Sequence, residues 1–142
     1  PRRADALMNK NPSYVFFRPL DHLAPSLGPI GAQGVPLTPE VSLAVDPRFV
    51  PYGAPLFLVT RRPATPEEVS PADSLPSGAA RQPAADTSTV PFRQLMVAQD
   101  TGGAIRGAVR GDVFWGAGDR ARSIAGRMKS PGRYTVLLPR TL

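Results

Sequence analysis

Apolar positions in this chain come in short runs separated by proline and glycine, and most of the runs carry strand-like residues. Tyr14 to Arg18 is β-branched and aromatic and closes at Pro19, which predicts a strand. Val41 to Val45 and Leu56 to Thr60 predict two more, joined by a tight, proline-bounded connection from Asp46 to Pro55. Phe92 to Gln99 resumes the pattern, Val113 to Trp115 predicts a short strand, and Tyr134 to Leu138 predicts the last. Helical spacing appears near the C-terminal end, where Ala121, Ile124, Ala125 and Met128 fall on one apolar face. Asp119 is placed to cap or open that helix, and Pro131-Gly132 stops it. Arg2 to Lys10 reads as the end of a second helix, and residues 19–40, with Gly28-Pro29, Gly31, Gly34 and Pro36, read as turns. The pattern predicts an all-β fold of about six short strands with one or two short helices, a small barrel.

One stretch breaks the rhythm. From Arg62 to Pro91 the residues are mostly Pro, Ala, Ser, Thr, Glu and Asp, with almost no large apolar side chains to repay the entropy of ordering. Residues 62–91 are therefore expected to form a solvated, disordered-like insert between two strands.

Composition sharpens this picture. A chain of 142 residues with 42% hydrophobic side chains can bury one modest core. Eighteen prolines and thirteen glycines suit strands joined by turns better than a helical bundle. No apolar run approaches the ~20 residues of a membrane-spanning helix. Cysteine is absent, which excludes a disulfide framework, a thiolate nucleophile and cysteine metal ligation. His22 is the only histidine and has no second ligand nearby, so no metal site and no cofactor are expected. Pro1 in place of a start methionine, and a first helix without its beginning, predict a piece of a longer protein.

The net charge of +6 raises the question of nucleic acid, because Arg106, Arg110, Arg120, Arg122, Arg127, Lys129, Arg133 and Arg140 crowd the C-terminal third. No nucleic-acid motif accompanies them, and Arg120, Arg122, Arg127 and Lys129 lie off the apolar helix face, as a solvated surface would place them. A solvated face ranks first, attraction to another anionic polymer second, and nucleic acid last. Gly103, Gly107 and Gly111 repeat at helix-packing spacing, but no apolar span surrounds them, and neither a dinucleotide nor a phosphate-loop signature is present.

Candidate chemistry concentrates in Leu95-Met96-Val97-Ala98-Gln99-Asp100-Thr101-Gly102-Gly103-Ala104-Ile105-Arg106-Gly107 and in Gly111-Asp112-Val113-Phe114-Trp115-Gly116. An apolar strand delivers Asp100 into a nearly side-chain-free loop, and a second short strand begins at Asp112. Glycines let a backbone approach a ligand closely, and acids beside such a loop are candidates for binding or proton transfer. Turn-capping aspartates would leave the same pattern.

The run from Val97 to Ala121 resembles the three-aspartate (3D) domain of the membrane-bound lytic murein transglycosylase A family. Two further stretches agree, in the right order: Asn11-Pro12-Ser13-Tyr14-Val15-Phe16-Phe17-Arg18, and the first-aspartate segment from Ser42 to Gly53. The long insert after residue 60 and one extra residue between the second and third aspartates depart from the family pattern. The resemblance implies a six-stranded double-psi β-barrel, a 3D domain over about residues 41–138, and an additional segment and second domain that belong to the family but not to this chain. It also implies a periplasmic protein associated with the outer membrane, acting on peptidoglycan glycan strands, with other cell-wall enzymes and the rest of its own protein as partners.

The activity implied is non-hydrolytic cleavage of the β-1,4 bond between N-acetylmuramic acid and N-acetylglucosamine, leaving a 1,6-anhydromuramyl end. Hydrolysis of a glycosidic bond uses two carboxylates, whereas an intramolecular 6-hydroxyl nucleophile lets one residue act as acid and then as base. The resemblance assigns that double role to Asp112. The first step needs Asp112 to carry a proton, which the apolar company of Val113, Phe114 and Trp115 and a nearby carboxylate would favour. Asp100 is the expected neighbour, sharing a proton with Asp112 and orienting it. Asp46 is assigned to the barrel turn or to the wall of the substrate pocket, and Gly102, Gly103 and Ala104 to the glycan-facing backbone. A glycan-binding barrel that does not cut is the alternative.

Overall fold

The computed structural model describes residues 10, 19–21, 23–24, 26–69 and 88–140. The predicted strand at residues 14–18, nearly all of the predicted first helix, His22 and the middle of the insert lie outside the described residues. Within them the chain forms β1 (Ser42–Val45), β2 (Pro55–Pro63), β3 (Thr89–Asp100), β4 (Gly111–Val113), a helix α1 (Gly118–Ala125) and β5 (Gly132–Val136). The strands make one sheet in the order β4-β1-β3-β2-β5. β1 and β3 run parallel, and the other three pairings are antiparallel.

The sheet curls into a half-barrel. β4 and β5 are its opposite edges, yet the Tyr134 hydroxyl on β5 donates to the carbonyl of Ala108, just before β4. α1 packs on β2, and Leu43, Val45, Leu56, Leu58, Phe92, Met96, Ala98, Trp115, Ala121 and Ile124 form the core. Strict alternation decides which residues enter it. Along β2, Leu56, Leu58 and Thr60 point inward while Pro55, Phe57 and Arg61 face solvent.

Two expectations about boundaries change. The β2–β3 ladder continues through Arg62↔Val90 and Pro63↔Thr89, so both ends of the stretch expected as a solvated insert are strand. Ala64 and Thr65 beyond it are buried, and Arg62 makes a bidentate pair with Glu68 (2.6 and 2.7 Å). Composition missed this because a short hairpin extension gains its order from cross-strand hydrogen bonds and one ion pair rather than from apolar area. Replacing residues 62–91 with a short Gly/Ser connector is therefore expected to lower the melting temperature, whereas a replacement confined to residues 70–87 leaves every contact named here in place. Thermal melts of the two variants check this.

The helix also ends earlier than its apolar spacing suggests. Met128 packs against the core from the segment beyond Ala125. Of the four basic residues expected on a solvated face, Arg120 pairs with Glu40 and Arg127 donates to the carbonyl of Ala64 at 2.8 Å. Arg120 ties the helix to the segment before β1, and Arg127 ties the turn after the helix to the segment after β2.

Candidate active site

The three aspartates gather at one end of the sheet, and the register fixes their relation. Ala44 on β1 lies opposite Asp112 on β4 and opposite Asp100 on β3. A bulge between Leu43 and Ala44 skips Gln99 in the parallel ladder and sets Asp100 opposite Ala44, while the Ser42 hydroxyl donates to Gln99 Oε1 at 2.6 Å. Two strand spacings of ~4.8 Å put the backbones of Asp100 and Asp112 about 10 Å apart.

Their carboxylates have other partners. Asp100 Oδ1 accepts the Ala32 amide at 3.0 Å, and the Gln33 amide donates to the Gln99 carbonyl at 3.0 Å. The 31–34 turn is thereby fastened to the end of β3. Gly31 is required for that approach, since a Cβ there would lie 2.5 Å from the Gln99 carbonyl oxygen. Asp112 is instead paired with Arg110, Nε to Oδ1 at 2.9 Å and Nη2 to Oδ2 at 3.5 Å, with both side chains about half exposed. The proton expected to be shared between Asp100 and Asp112 would require the carboxylates to touch, and no hydrogen bond joins them among the described residues. Burial of Asp112 among Val113, Phe114 and Trp115 is likewise not found. Alternation sends Val113 to the core while Asp112 faces outward, and Trp115 is buried against Phe92, ring centroids 5.1 Å apart.

Asp46 is in a different situation. Its side chain is fully buried, and its carboxylate accepts from Arg48 Nε at 3.0 Å, Arg48 Nη2 at 2.7 Å, the Arg48 amide at 3.1 Å and the Gly107 amide at 2.8 Å. The Arg48 guanidinium, and after it the Gly107 amide, hold this carboxyl far below the usual carboxylate range. Gly107 can present its amide because it sits at φ +99°. Asp46 thus clamps the β1–β2 turn to the 101–110 loop, and no atom of its carboxylate is left to face a ligand.

This clamp predicts acid sensitivity. A carboxyl whose folded-state pKa is depressed adds stability at pH above its ordinary value, 3.8 for Asp46, and loses it as pH falls through the lower folded-state value. Glu68 has the same sign, pulled down to about 2 mainly by the Arg62 guanidinium. Melting temperature is expected to drop as pH is lowered from about 5 toward 2, and Asp46→Asn protein, lower to begin with, to lose less over that range. Equal slopes for the two proteins would contradict the clamp.

Between the two acids lies the glycine loop. Thr101 Oγ1 donates to the Val45 carbonyl at 2.8 Å, and buried Ile105 anchors the far side of the turn through its amide to the Gly102 carbonyl at 3.0 Å. Gly103 and Ala104 are left exposed, with open space around the Gly103 Cα. A groove of about 660 Å³ runs along the free edge of β4, lined by Arg110, Asp112, Val113, Trp115, Met128 and Lys129 among others. Asp112 is the one aspartate of the three that lines it. Among the described residues no group of three or more His, Asp or Glu side chains could hold a metal ion, and no helix is long and apolar enough to cross a membrane.

Comparison with known proteins places this arrangement. A family model described as the 3D domain matches residues 41–138. Membrane-bound lytic murein transglycosylase A of Vibrio cholerae is 32% identical over 132 residues, 92% of this chain and 29% of that protein. The crystal structure of MltA from Neisseria gonorrhoeae superposes with a TM-score of 0.70 at 39% identity, covering 98% of this chain and 29% of that one. The structure of Escherichia coli MltA with bound chitohexaose superposes with a TM-score of 0.63 at 27% identity, over 95% of this chain and 34% of that chain. The chain spans about 30% of the length of such relatives. With its three aspartates on adjoining strand ends and a matching model over most of its length, the chain belongs to the 3D domain family, with the membrane-bound lytic murein transglycosylases A as relatives.

Proposed function

We propose that this chain supplies the catalytic domain of a peptidoglycan lytic transglycosylase in which Asp112 is acid and then base. The observation that carries the reading is the position of Asp112: an accessible carboxyl on an edge strand, lining a groove with room for sugar rings, beside a loop of exposed backbone. Names of relatives that are lytic transglycosylases, and a relative's structure holding chitohexaose, support the same substrate class.

Protonated Asp112 gives its proton to the glycosidic oxygen as the bond to the muramyl anomeric carbon breaks. The 6-hydroxyl oxygen of the same sugar then bonds to that carbon, and the Asp112 carboxylate takes the hydroxyl proton. The 1,6-anhydro ring closes, the N-acetylglucosamine end leaves, and Asp112 is protonated again. No water and no second carboxylate enter the balance. Asp100 serves as a positioning residue: it fixes the 31–34 turn and adds negative charge on the face where positive charge develops at the anomeric carbon. The exposed backbone of Gly103 and Ala104, with half-buried Gly102 behind it, faces the glycan. The five-stranded half-barrel is consistent with a double-psi β-barrel as the fold that carries this activity. The protein works in the periplasm at the outer membrane.

Mass spectrometry of digested peptidoglycan tests the reading, using the chain alone and a chimera in which it replaces the matching stretch of Neisseria gonorrhoeae MltA. Anhydromuropeptides are expected from the chimera. Reducing-end products would mean hydrolysis, and bound but uncut sacculi would mean a binding module.

A further inference from the structure

The partner of Asp112 raises a question that the cleavage mechanism leaves open. An acid must carry its proton to act, and in that state Arg110 has no other ion-pair partner among the described residues. Lys129 lines the same groove, so the rim then carries two positive charges and no anion. Charged groups at such a site gain most from an anion supplied by the ligand. The Arg110–Asp112 pair is also easily exchanged. Both side chains are about half exposed, and an ion pair of that kind contributes little net stability. Guanidinium geometry favours a planar carboxylate in particular, through two parallel hydrogen bonds.

We propose that Arg110 is a specificity-determining residue that exchanges the Asp112 carboxylate for a carboxylate on the glycan, either the lactyl group of a muramyl residue or its attached peptide. This rests on the transglycosylase reading and deepens it. The exchange couples recognition to chemistry. A ligand carboxylate that takes Arg110 away from Asp112 leaves the Asp112 carboxyl free of its ion pair and open to the glycosidic oxygen. A neutral amino-sugar oligomer can occupy the groove but cannot drive the exchange.

The test is binding rather than cleavage, so it reads out even if the chimera cuts nothing. Affinities are measured by calorimetry for three probes: chitohexaose, peptide-free glycan strands with free lactyl carboxylates, and peptide-bearing strands. Wild type, Arg110→Gln and Arg110→Lys are compared in the chimera. Arg110→Gln is expected to lower the ratio of anionic to neutral affinity about tenfold, the loss of one charge-assisted contact. Arg110→Lys should restore part of it, because the charge remains but the fork does not. A fall with peptide-free strands identifies the lactyl carboxylate, and a fall confined to peptide-bearing strands identifies the peptide. An unchanged ratio in Arg110→Gln protein overturns the proposal, as does a fall produced by Lys129→Gln and not by Arg110→Gln. Intact selectivity without anhydro products would leave the Arg110 assignment standing while removing the transglycosylase.

Discussion

Asp112→Asn in the chimera is expected to lower the release of anhydromuropeptides by about 10²- to 10⁴-fold while leaving glycan binding in place, the range typical for loss of a general acid or base. The amide keeps the shape of the carboxyl but neither gives nor takes the proton. Stability does not confound the result. The side chain is about half exposed and its ion pair with Arg110 is a surface pair, so the melting temperature should stay close to that of the parent. Retention of more than about a tenth of the rate would remove Asp112 from the role and leave the proton transfer without an owner. A large loss of binding together with activity would point to a positioning role instead.

Trp115→Ala is expected to cost about 3–5 kcal/mol of folding stability and to lower the melting temperature by about 10 °C or more, the range seen for deletion of a buried aromatic side chain. Trp115 is buried between the sheet and α1, packs against Phe92 in a tilted arrangement and belongs to the core that Leu43, Met96 and Ile124 complete. It also lines the groove three residues beyond Asp112, so glycan affinity should fall with stability. Trp115→Phe retains most of the apolar volume and should lose less than half as much. A loss below about 1 kcal/mol for the alanine variant would mean that the core closes over the gap and that Trp115 does not hold α1 to the sheet.

Within the described residues, strands were legible in the sequence to within a few residues, because β-branched and aromatic runs bounded by proline and glycine leave few alternatives. The run from Val41 to Val45 became β1, and the run from Phe92 to Gln99 became the C-terminal part of β3. The short strand expected at 113–115 begins two residues earlier, at Gly111. That shift matters, since it makes Asp112 a ladder residue opposite Ala44 rather than the residue before a strand. The aspartates were legible as a set from their positions beside the glycine loop and from the resemblance. Their separate situations were not.

Sequence by itself determined the element types within the described residues, the single modest core and the absence of cysteine chemistry, because local propensity and periodicity are properties of neighbouring residues, while the candidacy of Asp46 and the roles of Asp100 and Asp112 came from the family resemblance. Tertiary structure alone decided the strand order β4-β1-β3-β2-β5, which sets β1 between the two acids, and the bulge at Gln99, which sets Asp100 opposite Ala44. It alone buried Asp46 under Arg48 and Gly107, placed Arg110 on Asp112, and ordered the ends of the insert through Arg62 and Glu68. The physical reason is the same in each case. Register, burial and ion pairing are set by which distant segments meet, and a difference of one residue in register moves a side chain from one face of a sheet to the other.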